Sequence, residues 1–153
     1  MVELGAEPGL VLMSADLERL FPGLADASYT ITSPPSDAYN CIAWAAKDLT
    51  KVWWPDRLGL YFWPAERSET LEVFVRVFEK LGYQSCDNSD LEVGSEKVAI
   101  FCKDGVPTHM ARQLEDGSWT SKCGRLEDIT HELHAVGGTH YGEVAAVMKC
   151  RIS

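Results

Sequence analysis

Cys41 and His109 are the two residues of this chain whose types and settings could do chemistry together. Cys41 follows the polar loop Ser33-Pro34-Pro35-Ser36-Asp37 and heads Cys41-Ile42-Ala43-Trp44-Ala45-Ala46, a run rich in helix formers with Asn40 or Asp37 available as the cap. A thiol attacks as its thiolate, and the first turn of a helix favours that form through unpaired N–H groups and the positive end of the dipole. An imidazole must then take the proton and later deliver it to the leaving group. His109, inside the run Pro107 to Leu114, would have its ring held by a rigid strand. Each residue also has a bland reading, because cysteine is among the most buried residue types and a single histidine usually serves structure. The combination is what points to nucleophilic catalysis.

A third group should orient the imidazole. Glu115-Asp116-Gly117 is a hairpin signal. With a three-residue loop Ala111 faces Ser121, and the Ser121 hydroxyl shares the face of His109; a two-residue loop removes it. Asp128 is the alternative orienter, an acid that equally well begins a following helix. Tyr29 or Tyr39 could lend a hydroxyl to an oxyanion hole beside the Cys41 N–H. The aromatics Trp53, Trp54, Tyr61, Phe62 and Trp63 either line a substrate groove near the thiol or close the core over it, and burial favours packing. His131 and His134 are three residues apart in a sequence that is not the HExxH of metalloproteases. They read as two surface histidines on a helix, and no metal is expected.

The elements that must place these groups follow from periodicity. Ser14 to Phe21 is a short amphipathic piece stopped by Pro22-Gly23. Two Trp-Pro pairs bar helix or central strand between Val52 and Pro64. Leu71, Phe74, Val75, Phe78 and Leu81 then mark a helix from a Ser68 cap to a Gly82 stop. Lys97 to Cys102, Pro107 to Leu114 and Ser118 to Lys122 read as three antiparallel strands; Leu126 to Val136 reads as a second amphipathic helix, with Ile129 and Leu133 inward, and Glu143 to Ile152 as a last strand.

Composition bounds what such a chain does. Its 153 residues suit one domain. With 23 acidic against 14 basic residues the net charge is -9, a field that repels phosphate backbones, so nucleic acid is excluded as a partner. No apolar run is long enough for a membrane span, and the first residues lack the basic start of a signal peptide, so a cytoplasmic setting is expected unless export uses no cleavable signal. Five cysteines without a CxxC pair fit reduced thiols.

The segment Asn40-Cys41-Ile42-Ala43-Trp44-Ala45 resembles the catalytic-cysteine helix of papain-like amidohydrolases of the NlpC and CHAP kinds. Thr108 to Ser121 is similar to their histidine strand, hairpin and third-residue strand. The whole pattern, from Tyr39-Asn40-Cys41 through Trp53-Trp54-Pro55 to Trp119-Thr120-Ser121-Lys122, also resembles a family of small bacterial proteins of unknown function. The resemblance implies an α+β, papain-like (NlpC-like) fold over 1–153, with N-terminal helices packed on a meandering antiparallel sheet. It implies Cys41 as nucleophile, His109 as base and Ser121 in the polar third position. Tyr39, Asn40 and Trp54 are the candidates on the oxyanion and substrate side. The expected activity is cofactor-free hydrolysis of a peptide, isopeptide or side-chain amide, with a peptide or protein as substrate. The alternative is a non-catalytic module that binds a partner protein through the acidic surface and the Trp-rich loop. Oligomeric state is not fixed by any of these features.

Overall fold

Alternation along one strand sets the architecture. Val98 and Ile100 pack on one side, Ala99 and Phe101 on the other, and all four are fully buried, so both faces of the sheet are covered. The computed structural model describes residues 17–25, 28–123 and 126–152. Its strands are β1 Thr30–Ser33, β2 Gln84–Cys86, β3 Ser95–Lys103, β4 Val106–Gln113, β5 Trp119–Lys122, β6 Asp128–His131 and β7 Glu143–Arg151. They form one sheet in the order β1-β6-β5-β4-β3-β7-β2, with every neighbouring pair antiparallel.

This corrects the expected papain-like α+β arrangement of N-terminal helices on a sheet. The molecule is a small β-rich protein, and its helices α1 Cys41–Ala45 and α2 Leu71–Lys80 are short. Helix α1 stops after five residues because Lys47 turns to a positive φ of 67° and the Trp-Pro connection follows. Leu126 to Val136, expected as a helix, holds strand β6 and then a 3-10 turn, Leu133–Val136. There the β-branched pair Ile129 and Thr130 faces partners in both β5 and β1, and two ladders outweigh the local helical pattern. Thr70, not Ser68, caps α2, with its hydroxyl accepting from the Val73 N–H at 3.3 Å. Residues 17–20 are helical, and the expected Ser14 cap lies outside the described residues.

Helices α1 and α2 cover one face, where Ile42, Phe74 and Phe78 meet Val98, Ile100 and Met110. The other face carries Leu17, Phe21, Leu133 and Val136 against Ala99, Phe101 and Ile129. Asp104 and Gly105, at φ 52° and 80°, form the two-residue turn between β3 and β4. The β4–β5 loop has three residues: Leu114 N–H donates to Ser118 O at 2.7 Å, and Gly117 sits at φ 91°. That fixes Arg112 opposite Thr120 and Gln113 opposite Trp119, after which the ladder ends. A register shift between Phe101 and Cys102 places Phe101 opposite His109 but Cys102 opposite Pro107. Before β7, Gly138 and Gly142 exchange main-chain hydrogen bonds at 2.8 and 2.7 Å and present His140 and Tyr141 between them.

Candidate functional site: a thiol cleft beside a buried histidine relay

The start of α1 is anchored by Asn40. Its side-chain oxygen accepts from the N–H groups of Ala43 at 3.2 Å and Trp53 at 3.1 Å, and its amide nitrogen donates to Trp53 O at 2.8 Å. The expected cap is thus present, and it also ties α1 to the Trp-rich connection. Cys41 lines a cleft of about 550 Å³ with Tyr39, Trp54, Tyr61, Thr108, His140 and Tyr141. Asn40 also borders this cleft, but its amide is engaged with the main chain.

The sulfur of Cys41 reaches β4 at Met110, whose backbone N–H favours the thiolate, as do the N–H groups of Ile42 and Cys41 itself and the Lys122 charge. Burial outweighs them and pushes the thiol up to about 11. Activation by the helix start is therefore not what the site provides; a five-residue helix has little dipole to offer, and the thiol is neutral near pH 7.

His109 is fully buried. Its ring stacks flat on Tyr141, with centroids 4.0 Å apart and planes 7° apart, and meets Phe101 edge-on at 5.4 Å. Tyr141 also lines the cleft, so a residue of the cleft wall covers one face of the imidazole. Ser121 Oγ lies 2.9 Å from His109 Nε2, the contact expected of a three-residue hairpin loop. Ser121 Oγ in turn lies 2.7 Å from His131 Nε2, and His131 Nδ1 lies 2.7 Å from the main-chain oxygen of Glu132. Nδ1 of His109 has no hydrogen-bond partner. Burial and the nearby imidazoles of His131 and His140 hold His109 well below the usual histidine range; burial brings His131 down to about 4.

Cys41 and His109 come to adjacent residues of β4 from different sides. Cys41 belongs to the helix-side cluster, whereas Phe101 and Tyr141, which hold the His109 ring, belong to the opposite one. The β4–β5 ladder has ended at Arg112, before His109, and no hydrogen bond joins the thiol to Nδ1.

The other expected residues divide. Asp128 does not orient His109; it accepts from the Tyr39 hydroxyl at 2.6 Å, and burial with that carboxylate pushes the Tyr39 phenol up to about 12. Tyr29 donates to Glu18 at 2.7 Å and lines a different hollow, beside His131. Of the aromatic connection, Trp53 and Trp63 are buried, with their indole N–H groups on Asp48 and the Glu66 main chain. Trp54 and Tyr61 face the cleft, and Trp54 rests edge-on against Phe74 at 5.7 Å. The first pair closes the core, as packing requires, while the second borders the cleft that Cys41 lines.

Sequence reasoning missed three residues. His131 is not a surface helix residue: it is 2% exposed on β6, and of the pair with His134 the latter alone is exposed. His140 and Tyr141 were overlooked as well, although the bracketing glycines Gly137-Gly138 and Gly142 signal a tight turn that presents side chains. All five cysteines are free thiols. Among the described residues, no group of three or more His, Cys, Asp or Glu is placed to hold a metal ion, and no helix is long and apolar enough to cross a membrane.

Fold and cleft together define a small β-rich protein: one seven-stranded antiparallel sheet with a thiol at the floor of an aromatic cleft. The chain belongs to the DUF7689 family, a domain of unknown function, whose family model matches residues 30–149. That stretch begins at β1 and ends within β7, so it contains the sheet up to Lys149 and the cleft. No curated protein and no solved structure matches the chain.

Proposed function

We propose that this protein is a cysteine-dependent hydrolase of an amide or related acyl bond. The observation that carries the reading is a cleft-lining thiol whose sulfur meets β4 one residue from a buried imidazole, with Nδ1 of that imidazole free of any partner while Nε2 is held by Ser121. Because thiol and imidazole are both neutral at rest, proton transfer accompanies attack instead of preceding it. The Sγ–C bond forms as the thiol proton passes to His109 Nδ1. The C–N bond then breaks as that proton goes to the leaving amine. Water attacks the thioester with His109 as base, releasing the acid and restoring the thiol. The N–H groups directed at the sulfur, from Met110, Ile42 and Cys41, supply donors for the oxyanion. Tyr39, Trp54, Tyr61 and Tyr141 give the cleft aromatic walls that suit the flat or apolar part of a peptide or amide substrate.

A protein-binding module is the competing reading, and Leu58 and Leu60, 83% and 72% exposed in the connection that borders the cleft, are what favour it. p-Nitrophenyl acetate separates the two. A hydrolase releases p-nitrophenol in a burst and carries acetyl on the Cys41 peptide; Cys41→Ala abolishes the burst, and His109→Ala slows it by about 10² or more. A burst that survives Cys41→Ala, or no acetylation of Cys41 in the wild type, overturns the thiol mechanism in favour of binding.

A further inference from the structure

The hydrogen-bond chain behind His109 has a direction. The main-chain oxygen of Glu132 only accepts, so the proton between it and His131, across 2.7 Å, sits on Nδ1. Neutral His131 then offers only a lone pair at Nε2, and the Ser121 hydroxyl donates to it across 2.7 Å. With its hydrogen committed, the Ser121 oxygen accepts the Nε2–H of His109 across 2.9 Å. The reverse order fails at both ends: with Nε2–H of His131 donating to Ser121, the bare Nδ1 of His131 faces the Glu132 carbonyl, and His109 is left with a buried Nδ1–H that has no acceptor. His109, Ser121 and His131 are 0%, 0% and 2% exposed, so bulk water does not compete for these contacts.

We infer that His131 is a positioning residue of the Cys41 reaction: through Ser121 it fixes His109 as the Nε2–H tautomer and so presents Nδ1, the nitrogen without a partner, as the base. This rests on the thiol-hydrolase reading for its consequence, but the tautomer stands or falls by itself. His131 touches neither cleft nor thiol; it acts on the chemistry only through the proton it denies to Nδ1. Remove its acceptor, and the Ser121 hydroxyl is free to turn and donate to His109 Nε2, which drives the ring proton to Nδ1 and blocks it as a base.

Long-range ¹H–¹⁵N spectra of the full chain at about pH 7.5 read the tautomer directly. In the wild type, His109 should show a protonated Nε2 and a bare Nδ1. In His131→Leu the pattern should reverse, and the rate of Cys41 acetylation by p-nitrophenyl acetate should fall about 10²-fold. His131→Gln, whose amide oxygen can again accept from Ser121, should restore the tautomer and most of the rate. A wild-type His109 protonated at Nδ1 overturns the inference whatever the activity, and needs no variant that folds. A His131→Leu protein with the wild-type tautomer and rate overturns it too. If the tautomers behave as expected while acetylation ignores Cys41, the hydrolase reading fails and the assignment of the relay survives.

Discussion

His109 and His131 stand on strands that are not neighbours, yet one hydroxyl, Ser121 Oγ on the strand between them, lies 2.9 Å from Nε2 of the first and 2.7 Å from Nε2 of the second. Three strands thus contribute one polar side chain each to a single buried level, and the sheet's own register holds them there. Such a set tolerates protonation badly, because an imidazolium would need a donor to become an acceptor in a site that excludes water.

Acid should therefore unfold the protein through its histidines. The folded-state value for His131, about 4, lies below the ordinary 6.5, so between those values the unfolded chain binds more protons than the folded one. The contribution is fully present above 6.5 and is lost as pH falls toward 4. For His131 alone it is on the order of 3 kcal/mol, with His109 acting in the same direction. Urea unfolding at several pH values across that window should show the midpoint dropping, and an unchanged midpoint between 6.5 and about 4.5 would contradict the buried neutral relay.

Alkylation should report a thiol that is neutral at rest. Since burial pushes Cys41 up to about 11, its labelling by iodoacetamide should be slow at neutral pH and rise about tenfold per unit toward that value. Peptide mapping of the labelled protein gives the rate site by site. A plateau already reached below about pH 8 would mean an activated thiolate and a different electrostatic setting.

Phe74→Ala should loosen the cleft from behind. The ring is fully buried and meets Trp63 at 4.9 Å and Trp54 at 5.7 Å, so its removal should cost about 3–5 kcal/mol in chemical denaturation. Trp54 fluorescence should report a more mobile wall; a loss under about 1 kcal/mol would show that the helix-side core closes the gap.

Gly142 should accept no side chain. A Cβ there would sit 2.0 Å from the Cys102 carbonyl oxygen, at a φ of 79° that side chains rarely adopt. Gly142→Ala should cost at least about 3 kcal/mol and shift Tyr141 off the His109 ring, seen as a change in the His109 ring proton shifts. Near-wild-type stability would mean that the turn carrying His140 and Tyr141 is free to move.

The parts of the site legible in the sequence were those set by local rules. Asn40 capping a helix that begins at Cys41, His109 on a strand, and Ser121 within reach across a three-residue loop all follow from caps, alternation and turn chemistry over short spans. The fold class was misread because long-range pairing overrode local pattern. Asp128-Ile129-Thr130-His131 is too short to show alternation and runs into residues that read as helical, so β6 and the burial of His131 were both hidden. The short strands β1 and β2 went unseen for the same reason. The state of the thiol depends on its burial in the helix-side core, which no spacing in the chain expresses.

The sheet's outline has a consequence for how copies of this protein meet. Its longest strands, β3 and β7, nine residues each, lie inside, while the two edges are β1 with four residues and β2 with three. A register slip between Ile31 and Ser33 bends the first edge further. The strands that close the sheet at its two edges are thus stubs, too short to template a growing cross-β stack. Strand addition at β1 or β2 is disfavoured by their length, and Leu58 and Leu60, the most exposed apolar residues of the Trp-rich connection, offer side-chain contact for self-association at high concentration instead.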